Sequence, residues 1–233
     1  MTNRRFLWCL LILAGSAALL IWIGRASELD LTLADAMFDA TTGSFPWREH
    51  WLAADVMHHL MKALFIGIGL TPFVVLLADA VLGKRLLTPG LRRGLLVVSA
   101  AAMLIPLAIS TTKALSIHHC PWSLARYGGV APYLRIFDSL PAGVSPGHCF
   151  PAGHASSGLW LMAVAVFWLP QRPRRALAVF GLALLPGLVL GWFQQMRGAH
   201  FLTHTLWSAW IAALITLVLI RLMVRPAQQP VAT

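Results

Sequence analysis

Six apolar runs, each near the length of a bilayer crossing, constrain this chain more than any other feature of it. A crossing needs about 20 predominantly apolar residues, because the hydrocarbon core offers no partner to a bare peptide group. Such runs cover residues 6–24, 63–83, 94–112, 152–169, 176–193 and 205–224, the fourth and fifth being short for a full crossing. Of the 233 residues 58% are hydrophobic and only 11% charged, against about 25% charged in an ordinary soluble domain. That balance excludes a soluble globule. The first run follows Arg4 and Arg5 as a secretory signal would, but no small-residue cleavage site comes after it, and it is read as a helix. No internal repeat or low-complexity segment divides the chain. The expectation is an all-α polytopic membrane protein, one domain over residues 1–233 with six transmembrane helices.

Orientation follows from the basic residues, which accumulate in short cytoplasmic loops. With the N-terminus inside, Arg4, Arg5, Lys84, Arg85, Arg92, Arg93, Arg172, Arg174, Arg175, Arg221 and Arg225 are cytoplasmic, 11 of the 18 Lys and Arg. Both termini are then expected in the cytoplasm of a bacterial inner membrane. The net charge of +10 is spread over thin loops without a basic helix or an aromatic platform. Anionic lipid, not nucleic acid, is the partner it implies. Oligomeric state is left open.

The outer loops differ in kind. The first, 25–62, holds six of the eight acids, a turn at Thr41–Thr42–Gly43, and an expected short interfacial helix over 47–61 anchored by Trp51. The second, 113–150, is dense in His, Cys, Arg, Gly and Pro, and the third is only 194–204. Cys120 and Cys149 share the second loop with 28 residues between them, a candidate disulfide in an oxidising compartment. Such a bridge would draw the ends of that loop together and bring Lys113 toward His154. Cys9 lies in the first run as a small apolar side chain.

Residues able to do chemistry fall at the outer ends of the runs. Pro151–Ala152–Gly153–His154 opens the fourth, with small residues that let an anion approach free backbone N–H groups at a helix start. His200 and His204 are four apart at the start of the sixth and share a helix face; Arg197 precedes His200 by three. A Lys, an Arg, backbone donors and three His at one interface suit phosphoryl transfer: cations for the oxygens, one imidazole to attack, another to protonate the leaving group. The alternative is a helix-face metal site, with His118, Cys120, His148 and Cys149 as further ligands. The scarcity of acids and the presence of Lys and Arg weigh for phosphate, so no metal or other cofactor is expected. His58, His59, His118, His119 and His148 read as interfacial polar residues.

These residues resemble the type 2 phosphatidic acid phosphatase superfamily, whose signature is K-x6-R-P, then P-S-G-H, then S-R-x5-H-x3-D. Lys113 and Pro121 match the first part, with Cys120 in the Arg position. Pro151, Gly153 and His154 match the second, with Ala152 for Ser. In the third, His200 takes the nucleophile's place, Gln194 that of Arg and His204 that of Asp. The resemblance implies a six-helix, metal-independent phosphoric ester or diphosphate hydrolase whose substrate is a membrane lipid phosphate, and with the charge pattern its active site is expected to face the periplasm. His200 attacks phosphorus, His154 protonates the leaving oxygen and then activates water, and His204 orients His200. Lys113, Arg126, Arg197 and the N–H groups near Gly153 are expected to bind the phosphate, the two arginines replacing those lost at Cys120 and Gln194. A second alignment makes Arg197 the family Arg and His204 the nucleophile, at the expense of one extra intervening residue. Two other functions fit the same residues: a lipid phosphotransferase, and a non-catalytic membrane protein that kept the fold.

Overall fold

The computed structural model describes residues 2–224; Arg225, one of the basic residues used above for orientation, lies outside them. Among the described residues all regular structure is helical. The α-helices are α1 (Asn3–Ala26), α2 (Leu29–Asp35), α3 (Met61–Val81), α4 (Pro89–Ala114), α5 (Ser156–Leu159), α6 (Pro173–Met196) and α7 (Leu202–Met223). A π-helical stretch, Leu52–Leu60, runs without a break into α3, and a 3₁₀ stretch, Trp160–Trp168, continues α5.

Five of these units are long and apolar enough to cross a membrane: Asn3–Ala26, Leu52–Val81, Pro89–Ala114, Pro173–Met196 and Leu202–Met223. They correspond to the first, second, third, fifth and sixth apolar runs. The fifth is not short after all. Pro173 begins it at the first helical position, where a missing N–H has no cost, and the buried Gln194 and Gln195 carry it on to Met196. The fourth run forms a helix of only 13 residues, Ser156–Trp168. Its 3₁₀ part rises about 2.0 Å per residue against 1.5 Å for an α-helix, so the unit reaches farther than its residue count suggests. The separate interfacial helix expected over 47–61 is instead the opening of the second long unit, with Trp51 exposed at its start.

That short fourth unit is the centre of the bundle. Leu159, Met162 and Ala163 are fully buried, packed with Val97, Ala101 and Ile105 of α4 and Ala212 of α7. On its other flank α6 comes so close that a Cβ on Gly158 would stand 2.9 Å from the Gly187 nitrogen. Small residues permit this approach, as they do between helices in lipid. By contrast α1 is peripheral: Leu7, Leu11, Ile12 and Trp22 are exposed to the surroundings, and it is tied to α7 where Trp210 Nε1 donates to Leu13 O at 2.8 Å.

The helix ends sort into two groups. At one end Arg221 donates to Asn3 at 2.9 Å, and the buried Asp79 pairs with Arg92 at 2.6 Å across the α3–α4 turn. At the other meet the start of the Leu52–Val81 unit, the end of α4, the start of α5, the end of α6 and the start of α7. Every candidate site residue lies in or beside this second group.

Candidate active site

Lys113 ends α4 and reaches over the loop before α5. A Cβ on Gly153 would stand 3.5 Å from Lys113 Cδ and 3.9 Å from its Nζ, so the Lys113 side chain lies directly against the Gly153 backbone. Around it opens a cavity of about 510 Å³, lined among others by His58, Lys62, Lys113, Gly153, His154 and His200. The same wall includes Cys120 and Gln194. Among the described residues the Gly153, His154 and Ala155 backbone N–H groups have no protein acceptor, and neither Lys62 nor Lys113 is in an ion pair.

His200 does not share a helix with His204, as the spacing suggested. It precedes α7 by two residues, outside regular structure, while His204 sits in the first turn. The two rings still meet, Nδ1 to Nδ1 at 3.4 Å. His200 lines the cavity; His204 stands behind it, beside a smaller cavity that also touches His118 and Phe150. The loop carrying His154 is locked to this turn. Ala152 N–H donates to His204 O at 3.0 Å, and Ser208 Oγ to Ala152 O at 2.9 Å.

Cys120 and Cys149 form a disulfide that closes the loop between α4 and α5. It places Cys149 Sγ 3.6 Å from His200 Nδ1. Cys149, His200 and His204 converge within 4.8 Å, the geometry of a metal triad, but a disulfide sulfur has no thiolate to offer. The donor set is then two imidazoles, fewer than the three protein ligands usual in a zinc site.

Burial holds His154 and His200 neutral. For His200, desolvation comes first and the Lys113 charge second, and together they push its pKa down to about 3. His154 is pushed down to about 4, again chiefly by burial, with Lys62 and Arg197 adding to the effect against the hydrogen bond to Met57 O. A neutral imidazole is what an attacking nitrogen requires.

The arginines behave differently from expectation. Arg126 does not turn to the cavity: its guanidinium grips Asp35 of α2 through Nε at 2.8 Å and a second nitrogen at 2.6 Å. A bidentate carboxylate partner holds it there, and Arg126 is not among the residues lining the cavity. Arg197 is outside the cavity lining but touches Gln194, which is part of it. It donates to Arg48 O at 3.0 Å and to Gln194 Oε1 at 3.3 Å, while Gln194 Nε2 is buried without a partner. Because an Arg only donates, this contact fixes which end of the Gln194 amide is oxygen.

Sequence reasoning missed the segment from Met57 to Lys62. His58 stacks on His154 with centroids 4.5 Å apart and planes 16° apart, and Lys62 lines the cavity. No spacing signal links these residues to His154, almost a hundred positions later.

No curated protein and no solved structure matches the chain. A family model described as the PAP2 superfamily matches residues 94–227, more than half of the sequence, running from within α4 past the end of α7 and including Lys113, His154 and His200. With those residues gathered at one cavity, and the two positions where the family has arginine facing it as well, the chain belongs to the PAP2, or type 2 phosphatidic acid phosphatase, superfamily.

Proposed function

We propose that this protein is an integral-membrane phosphatase that removes a phosphoryl group, as a monoester or a pyrophosphate, from a membrane lipid through a phosphohistidine at His200. The observation that carries the reading is the convergence of Lys113, Gly153, His154 and His200 on one cavity without a carboxylate in its lining. Superfamily membership suggests phosphatase-type activity on lipid phosphates. The cavity also touches Pro106, Leu107 and Ser110 of α4, and Leu107 is exposed on the flank of the bundle, which suits a substrate arriving from the bilayer.

In the first displacement a bare nitrogen of His200 attacks phosphorus while His154 gives a proton to the departing oxygen. Water then cleaves the phosphohistidine with His154 as base. Lys113 and Lys62, with Arg197 beside Gln194, neutralise the transferring group. When His200 Nδ1–H donates to His204 Nδ1, its Nε2 is left free for attack, so an imidazole serves at the family's Asp position as acceptor. The reaction needs no metal, and its substrate is a lipid phosphate held among cations.

Six crossings, both termini in the cytoplasm and a periplasmic site complete the proposal. Two observations support it: the disulfide on the site side, which belongs to an oxidising compartment, and the basic residues gathered at the far helix ends. Phosphate release from a panel of lipid phosphates, with and without EDTA, tests the activity. Trapping of the phosphoenzyme tests the nucleophile: it should survive His204→Ala and vanish in His200→Ala, and the reverse would reassign it. Phosphoryl transfer to a second lipid without phosphate release would make the protein a transferase.

A further inference from the structure

One wall of the cavity comes from Leu52–Leu60, outside the region that the family match covers. In an α-helix the Met61 N–H would bond to Met57 O, four residues back. Here it bonds to Val56 O, five back, because the stretch is π-helical. The Met57 carbonyl is thereby released from that donor, and His154 Nε2 stands 3.0 Å from it. A carbonyl has no hydrogen to give, so this contact is a hydrogen bond only when Nε2 carries the proton. A neutral imidazole has one N–H; Nδ1 therefore holds the lone pair. The His58 ring, from the same stretch, lies nearly parallel to His154 and fixes the plane in which that nitrogen points. Single π-turns inside helices recur at functional sites for this kind of reason, since each frees a backbone group.

We propose that the π-helical turn Leu52–Leu60 is part of the active site, its Met57 carbonyl holding His154 as the Nε2–H tautomer so that protons move only through Nδ1. The proton transfer rests on the phosphatase reading above; the tautomer rests on the geometry alone. In the reaction, Nδ1 takes up the proton that a phosphoester monoanion brings. It passes that proton to the leaving oxygen as the P–O bond breaks and the His200 N–P bond forms. In the second step Nδ1 takes a proton from water as the new P–O bond forms and the N–P bond breaks, and gives it to the departing phosphate, which leaves His154 neutral again. Met57 O accepts from Nε2–H throughout and steadies the transient imidazolium. The charged and titratable groups around His154 are His58 and His59 from this segment, Lys62 from the start of α3, Lys113 from the end of α4, Arg197 from the end of α6 and His200 from the turn before α7. All are bases, so no carboxylate competes with Met57 O for the ring.

The test is a nitrogen NMR spectrum of the full-length protein carrying ¹⁵N-histidine, in micelles near pH 7, with the His154 signals assigned by His154→Gln. A proton on Nε2 and a bare Nδ1 are expected. Deletion of Ala54, which removes the extra residue of the π-turn, should mix the tautomers and lower kcat about 100-fold or more with KM little changed, general acid–base catalysis being worth roughly 10²–10⁴. An Nδ1–H tautomer in the wild type overturns the proposal even if the deletion variant fails to fold, and so does an Nε2–H tautomer untouched by the deletion. Failure of the phosphatase reading looks different: no lipid phosphate is hydrolysed while the wild-type spectrum stays as expected.

Discussion

His154 and His200 are neutral in the folded protein because water is kept from them, and this has a sign that can be measured. Their folded pKa values, about 4 and about 3, lie below the 6.5 of a free histidine. The unfolded chain therefore takes up protons first as pH falls, and the stability present above about 6.5 is lost progressively through pH 4 toward pH 3. His118 and His119, lowered by burial too, act in the same direction. The apparent Tm in detergent should fall between pH 7 and pH 4, and less steeply in His154→Gln; equal slopes would show that this histidine is not held neutral. Substrate reverses the effect locally. A phosphate dianion beside His154 raises its pKa, so the basic limb of kcat should lie at higher pH than that of kcat/KM, and coincident limbs would remove His154 as the acid. At the same scale Lys62 is a cation without a carboxylate partner among the described residues. Lys62→Ala should reduce kcat/KM about 10- to 100-fold, the worth of one charged hydrogen bond, and Lys62→Arg should restore most of it.

At the scale of elements, the site depends on how α7 begins. Its own first residues supply no side-chain cap. The cap comes instead from α2, where the buried Asp30 accepts from the Thr203 N–H at 3.0 Å and from the Thr203 hydroxyl. This carboxylate sits one turn from His200 and His204 and satisfies a donor at the positive end of the helix. Asp30→Ala should lower stability by about 1–2 kcal/mol, read as a shift in thermal unfolding, and loosen the His200–His204 contact. The disulfide works on the loop before α5. By chain entropy a bridge of this span is worth about 3–4 kcal/mol, and Cys149 lies against His200, so reduction should lower both Tm and activity; an unchanged activity in Cys120→Ser/Cys149→Ser would limit the bridge to stability. Neither Asp30 nor the π-turn is legible in the chain. Asp30 is 173 positions from Thr203, and a π-turn leaves the hydrophobic pattern of its helix almost unchanged.

For the whole molecule, the two groups of helix ends define two faces, and topology is the property to measure. Cysteine placed at Val130, which is almost fully exposed on the site side, should react with a membrane-impermeant thiol reagent in intact spheroplasts. Cysteine at Leu86, in the turn between α3 and α4, should react only after permeabilisation, and the opposite pattern would invert the orientation. The sequence by itself determined that the chain is helical and membrane-bound, because apolar residues in bilayer-length runs leave the backbone no other way to satisfy its hydrogen bonds. It also determined the candidates Lys113, His154 and His200, because each is carried within a few residues of a helix end where local spacing decides its place. Only the tertiary structure decided what completes the site. Arg126 was lost to Asp35, 91 positions away, while Lys62, His58 and the Met57 carbonyl were gained from a helix outside the motifs. Contacts of that kind depend on which helices pack together and at what depth, and no periodicity along one chain records them.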